Sequence, residues 1–371
     1  MRPDRGKPAY NARVGSKGVS YSPWTGRKQV AMVVMGIILS GARCWGALGV
    51  VAILWFSTAL AIGQTCLTGN DLDAATRTAL ENAGRRYSEL AAKGDTETLK
   101  QMAIPSVAAD FAGIQAAVRD NREALAGSQV TVRPPFLLEA QGEEPLARAE
   151  FLCGVFGKSG QTQDSAVFVI SNLPPGNYAV VIMDATGKVP HTLSLVLQKA
   201  GNEWKLAGFY AKPVWAAGHD GKWFWERARQ FKARGQTRNA WFYYNQARDL
   251  LAPVPFMSSL ATDEIYDEAE PLRPQNLPSN GNSVDLAADG RTYRLTSVFA
   301  VGADSDVDLV VKYQTPDISN SNRVYQDNVS LIKTLVAKHP EFRDGFAAII
   351  ARAVDPSGKD FGTLLKMEDI K

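Results

Sequence analysis

The amino-acid sequence predicts an α+β protein: helices packed on a curved antiparallel sheet, a helical hairpin, and a second small α+β domain, after one N-terminal hydrophobic helix. Three observations predict it. Apolar residues recur at helical spacing between Leu72 and Leu125, short alternating runs replace them from about 130 to 211, and a further helix-and-strand pattern follows Pro213. Helices first and a strand run after is the order of an α+β layer structure rather than of a parallel α/β sheet. A chain of 371 residues, 45% of them apolar, has the length for two or three domains with cores of their own.

The first helix is expected to start at Asn70, with Leu72, Ala75, Ala79, Ala83, Tyr87 and Leu90 on one face and Gly94 at its end. Asp95 is placed to cap a short helix through Leu99 and Met102 that Pro105 stops, and another helical segment runs through Phe111, Ile114, Val118 and Leu125. Strands are expected near 130–140, 146–156, 164–171, 177–184, 191–199 and 203–211, separated by turns rich in Gly, Pro and Asn. Alternation is plainest where Leu193, Leu195 and Leu197 face away from Thr192, Ser194 and Gln198.

The stretch from Tyr87 to Leu99 (YSELAAKGDTETL), with a last strand reading EWKLAGF from Glu203 to Phe209, resembles the nuclear-transport-factor-like, or cystatin-like, superfamily of α+β cones. The resemblance covers about 67–213 and implies that fold and a cone-shaped pocket. The His/Asp pocket pair of the superfamily's enzymatic members cannot be placed on this sequence, so no catalytic residue is carried over. The segment Leu173 to Tyr178 (LPPGNY) looks like the turn of transthyretin-like carboxypeptidase-regulatory sandwiches, a rival fold for the same strands. Three helices ahead of the strands favour the first.

Beyond Pro213, residues 221–235 and 238–252 read as two helices, and Ala228, Phe231, Gly235, Ala240, Tyr244 and Ala247 fall where one tetratricopeptide repeat has its small and aromatic residues. A lone hairpin cannot bury its own face and must pack on a neighbour. A third helix is expected at 259–270, completing a helical segment over 218–270, and 271–282 is a proline-rich linker. The C-terminal domain, 283–371, is expected to hold strands at 283–289, 291–300 and 305–314, a helix at 321–338, and a hairpin of 345–355 with 360–368.

Charge is unevenly spread. Residues 1–61 hold eight basic groups against Asp4, a local charge of +7, which leaves −4 on residues 62–371. An acidic body without a basic cluster argues against nucleic acid as a partner. Residues 44–63 are uncharged and mostly apolar, long enough as a helix to span a bilayer, and the basic lead-in keeps the N-terminus inside. Two readings stand side by side: a lasting signal anchor, or a signal peptide cleaved after the Ala59-Leu60-Ala61 site. Either way residues 62–371 are expected outside the cytoplasm, in the cell envelope, with the membrane, an envelope protein or a glycan as partner. Cys66 and Cys153 are then the disulfide candidates, with two separate buried thiols as the other outcome.

No nucleophile elbow, phosphate-binding glycine loop or Cys/His cluster is found, and no cofactor or metal is expected. His191 and His339 read as surface or capping residues. Asp304, Asp306 and Asp308 alternate like a loose calcium loop, but lack the EF-hand Gly and Glu spacing and read as a solvated face. The candidate binding residues are His219 and Asp220, in a Gly-His-Asp-Gly junction, with Trp223, Trp225, Trp241 and Tyr243 from the densest aromatic cluster. Asp220 also reads as a helix cap, and the aromatics also read as core. The expected function is a non-enzymatic binding or assembly module; the alternative is a small-molecule enzyme or carrier using a pocket in the first domain. A weaker third reading is carbohydrate binding by exposed tryptophans.

Overall fold

The computed structural model describes residues 64–158, 160–278 and 281–371; the basic leader and the apolar segment 44–63 lie outside the described residues. The protein is α+β. Among the described residues no helix is long and apolar enough to cross a membrane.

The chain enters through β1 (Thr65–Thr68) and turns into α1 (Ala74–Lys93). Asp73, not Asn70, caps α1: its carboxylate accepts from the Thr76 N–H at 2.8 Å, while Asn70 sits one turn earlier in a 3-10 turn. The buried face is also rotated from the expected one. Leu80, Gly84, Tyr87 and Ala91 point inward, whereas Ala75 and Ala79 are exposed. Gly84 explains the rotation, because a Cβ there would come within 2.8 Å of Val181 Cγ1; its absence lets the helix close on the sheet. Gly94 ends the helix at φ 73°, and Asp95 caps α2 (Thr96–Gln101). Pro105 does not only stop what precedes it: it opens α3 (Pro105–Ala109) from the first helical turn, where its missing N–H costs nothing. Then comes α4 (Ala112–Leu125).

The expected strand at 130–140 is split by Pro134 and Pro135 into β2 (Gln129–Val132) and β3 (Phe136–Ala140). Then follow β4 (Leu146–Gly157), β5 (Gly160–Leu173), β6 (Gly176–Thr186), β7 (His191–Ala200) and β8 (Glu203–Pro213). The main sheet runs β1-β3-β6-β7-β8, with β2 also on β6. Its helix-facing side buries Val181, Met183, Leu193, Leu195 and Leu197 against Leu80, Tyr87, Leu99 and Val118.

Its other side is covered too, which the sequence did not suggest. The β4–β5 hairpin leaves the main sheet and folds across it, so that Phe151, Cys153 and Phe168 pack on Leu138, Tyr178, Val180 and Ile182. Burial on both faces is why Ser194 is fully buried, its hydroxyl reaching the Pro253 carbonyl at 3.4 Å. Cys66 of β1 and Cys153 of β4 are joined by a disulfide, with Cα atoms 5.1 Å apart, which ties the two sheets together.

A small hairpin, β9 (Trp215–Ala216) with β10 (His219–Asp220), leads into α5 (Gly221–Ala233) and α6 (Thr237–Leu251). The chain then returns to the first half: β11 (Met257–Ser259) pairs antiparallel with β5 and completes the three-stranded sheet before α7 (Leu260–Ala269). The last region holds β12 (Val284–Ala288), β13 (Arg291–Ala303), β14 (Asp306–Gln314), α8 (Ser321–Lys338), α9 (Phe342–Gly345), β15 (Ala348–Val354) and β16 (Asp360–Lys366). Its sheet follows chain order, antiparallel except for the β14–β15 pair, which α8 connects in parallel.

The helical hairpin and this sheet share one core. Phe224, Phe231, Tyr244 and Ala247 lie in the same apolar cluster as Leu309, Val311, Leu331 and Ile349. The 271–282 stretch, read as a linker, therefore joins two parts of a single packing unit.

Candidate functional site

The Gly-His-Asp-Gly junction folds as a two-residue hairpin turn, with Ala217 and Gly218 at φ 51° and 73°, the left-handed pair that such turns require. It is seated on β13, where Gly302 has no side chain: a Cβ there would lie 2.5 Å from the Ala217 nitrogen. Asp220 caps α5, accepting from the Trp223 N–H at 2.9 Å. Fixed from both sides, His219 lies flat on Trp223, with ring centroids 3.7 Å apart and planes 3° from parallel.

Trp223 and Tyr243 continue into a chain of ring contacts. Trp223 meets Phe224 edge-on at 5.0 Å, and Tyr243 touches Phe224, Phe231 and Phe346 at 4.8–6.1 Å. Tyr243 donates its hydroxyl to the Gly345 carbonyl at 2.6 Å, and burial pushes its pKa up to about 12.

Opposite His219, Trp223 and Tyr243 lie Ser305 to Val307, at the β13–β14 turn, and Asp344 to Ala347, at the α9–β15 junction. Together they line an open cleft of about 210 Å³ with two carboxylates, Asp306 and Asp344. Asp344 accepts from the Gln236 amide; Asp306 has no ion pair among the described residues. Asp308, next on the strand, is buried, and desolvation holds its carboxyl above the usual range. Among the described residues no three carboxylate, imidazole or thiol groups gather around one point that suits a metal ion.

Three of the six candidate residues thus converge: His219, Trp223 and Tyr243. Asp220 positions them. Trp225 belongs to a different structure on the opposite side of α5, where Glu268 of α7 accepts from the Trp225 indole (3.3 Å), the Tyr244 hydroxyl (2.8 Å) and the Arg229 guanidinium, which also stacks over the Trp225 ring at 4.4 Å. This is a helix-to-helix clamp. Trp241 is half-buried against the shared core. His191 is buried with Nδ1 2.9 Å from the Val189 carbonyl, and His339 caps the end of α8 beside Phe342.

The acidic half of the cleft was not legible in sequence. Its one trace was the alternating Asp304, Asp306 and Asp308, where only Asp306 reaches the site. The chain matches no protein-family model, no curated protein and no solved structure.

Proposed function

We propose that the chain is an exported, envelope-associated binding module that uses the His219–Trp223–Tyr243 cleft to hold a basic side chain of a protein partner. The observation that carries this reading is the pairing of an aromatic wall with Asp306 and Asp344 in one open cleft. Carboxylates beside an indole suit a lysine or arginine, through charge and cation–π attraction. The volume is that of a side chain rather than of a cofactor. The imidazole lining the cleft is stacked on Trp223, and the phenol lining it donates to the Gly345 carbonyl.

Export is supported by the +7 leader and the apolar segment 44–63, and by a disulfide of the kind that persists in an oxidising compartment. The nuclear-transport-factor-like and tetratricopeptide-like likenesses are kept as proposals for the origin of 67–213 and 221–253. A carrier role that uses a cone between the first domain's sheet and helices finds that space filled by Leu80, Leu99, Met183, Leu195 and Phe209.

The test is capture of partners from detergent-solubilised envelope by the full chain. Wild type is expected to retain a partner that Trp223→Ala and Asp306→Asn each release, and that added arginine competes away, while Leu364→Ser in the C-terminal sheet changes nothing. Retention by both cleft variants would sink the reading; elution by a glycan instead of arginine would replace the ligand class.

A further inference from the structure

We propose that Gln236 and Asn239 are positioning residues for the cleft, holding the Asp344 carboxylate at the angle at which it takes the basic side chain. The proposal deepens the binding reading above and rests on it. Both residues break the local rules of the helix they begin. Gln236 is the N-cap of α6 but makes no cap hydrogen bond, at a position where Ser, Thr, Asp or Asn is the usual choice. Asn239, in the first turn, is fully buried, and its Oδ1 has no hydrogen-bond partner among the described residues. A buried amide left half-satisfied costs stability that an apolar side chain of similar size would not. Neither choice serves the helix.

Both side chains turn instead to α9. Gln236 donates its amide to Oδ2 of Asp344, which leaves Oδ1 for a ligand. Asn239 Nδ2 donates to Gln236 Oε1 at 3.2 Å, which fixes the Gln236 amide with its donor end toward Asp344, and also to the Glu341 carbonyl. That same carbonyl accepts from the Asp344 N–H at 3.1 Å, so Asn239 steadies both the backbone and the side chain of Asp344. The approach is this close because residue 345 is glycine: a Cβ there would lie 2.7 Å from Asn239 Cγ. One turn further along α6, Tyr243 holds the Gly345 carbonyl. Three successive positions on one helix thus fix the turn that carries the carboxylate.

The test is titration calorimetry of the full chain in detergent micelles, with acetylated and amidated Ala-Arg-Ala as the probe. Gln236→Leu removes one hydrogen bond to a charged group and is expected to weaken binding about tenfold. In an Asp344→Asn background the same change is expected to do nothing, because no carboxylate is left to position. In an Asp306→Asn background the tenfold loss is expected to persist. Asn239→Ala is expected to lose as much as Gln236→Leu, and wild-type affinity there overturns the part given to Asn239. Binding that Gln236→Leu leaves unchanged, or weakens equally with and without Asp344→Asn, overturns the positioning role and leaves the cleft reading standing. Wild-type chain that takes up no probe overturns both.

Discussion

At Gly302 the absence of one methyl group holds the candidate site together. An added Cβ would lie 2.5 Å from the Ala217 nitrogen and 2.8 Å from the Ala216 Cβ, and backbone cannot step aside as a side-chain tip can. Gly302→Ala is expected to cost about 1–3 kcal/mol and to lift His219 off Trp223; urea unfolding reads the first effect and near-ultraviolet circular dichroism the second. Asp220→Ala removes the cap on α5 and should cost roughly 1 kcal/mol in the same assay. Glu268 sets a pH dependence. The Arg229 guanidinium foremost, with Tyr244 and Trp225, holds its carboxyl below the ordinary 4.5. A carboxyl depressed in the folded state adds stability above its unfolded pKa and gives it up as pH falls through the folded one. Urea midpoints should therefore drop below about pH 4 by less in Glu268→Gln than in wild type. The aromatic half of the site was legible because Trp, His and Tyr crowd between 215 and 244. Nothing local to Ser305–Val307 or Asp344–Ala347 says that they face His219, since that placement comes from the register of β13 and the gap at Gly302.

Among the elements, turn residues and period fixed the extents of most strands and helices to within a few residues. What periodicity could not supply was partnership. The in-and-out alternation of β4 is as clear as that of β7, yet alternation says which side chains share a face and not which sheet a strand joins. The rotation of α1 had a similar cause: Ala75, Ala79 and Ala83 form as regular a stripe as the true one, and only Gly84 against Val181 distinguishes them. The disulfide is the covalent join between the two sheets, closing a span of 87 residues. Reduction, or Cys153→Ser, is expected to cost roughly 2–4 kcal/mol, seen as a lower urea midpoint. An unchanged midpoint would mean that packing alone holds β4 in place.

For the described body as a whole, the expected division into separate domains gives way to interleaving. The hairpin of α5 and α6 and the C-terminal sheet bury one common set of side chains. A protease site inserted between Gly281 and Asn282 should therefore yield, after cleavage, two pieces that co-elute in gel filtration; separate elution would count against the shared core. Likewise Val254 fills the core beneath β4–β5, with Phe256 packed beside it, and β11 pairs with β5. A chain ending at Pro213 lacks these groups and is expected to bind the hydrophobic dye ANS more strongly than the full chain.

That pairing also sets a schedule for the protein's birth. The segment Ala166–Phe168 of β5 receives its outer partner from Met257–Ser259, and Met257 follows the end of β5 by 84 residues. At ordinary synthesis rates the wait is roughly 4–17 s, during which a long, apolar strand edge stands open on the emerging chain. Such an edge is a template for pairing with the wrong strand. The interval before residue 257 emerges is therefore when the outer edge of β5 is most open to mispairing.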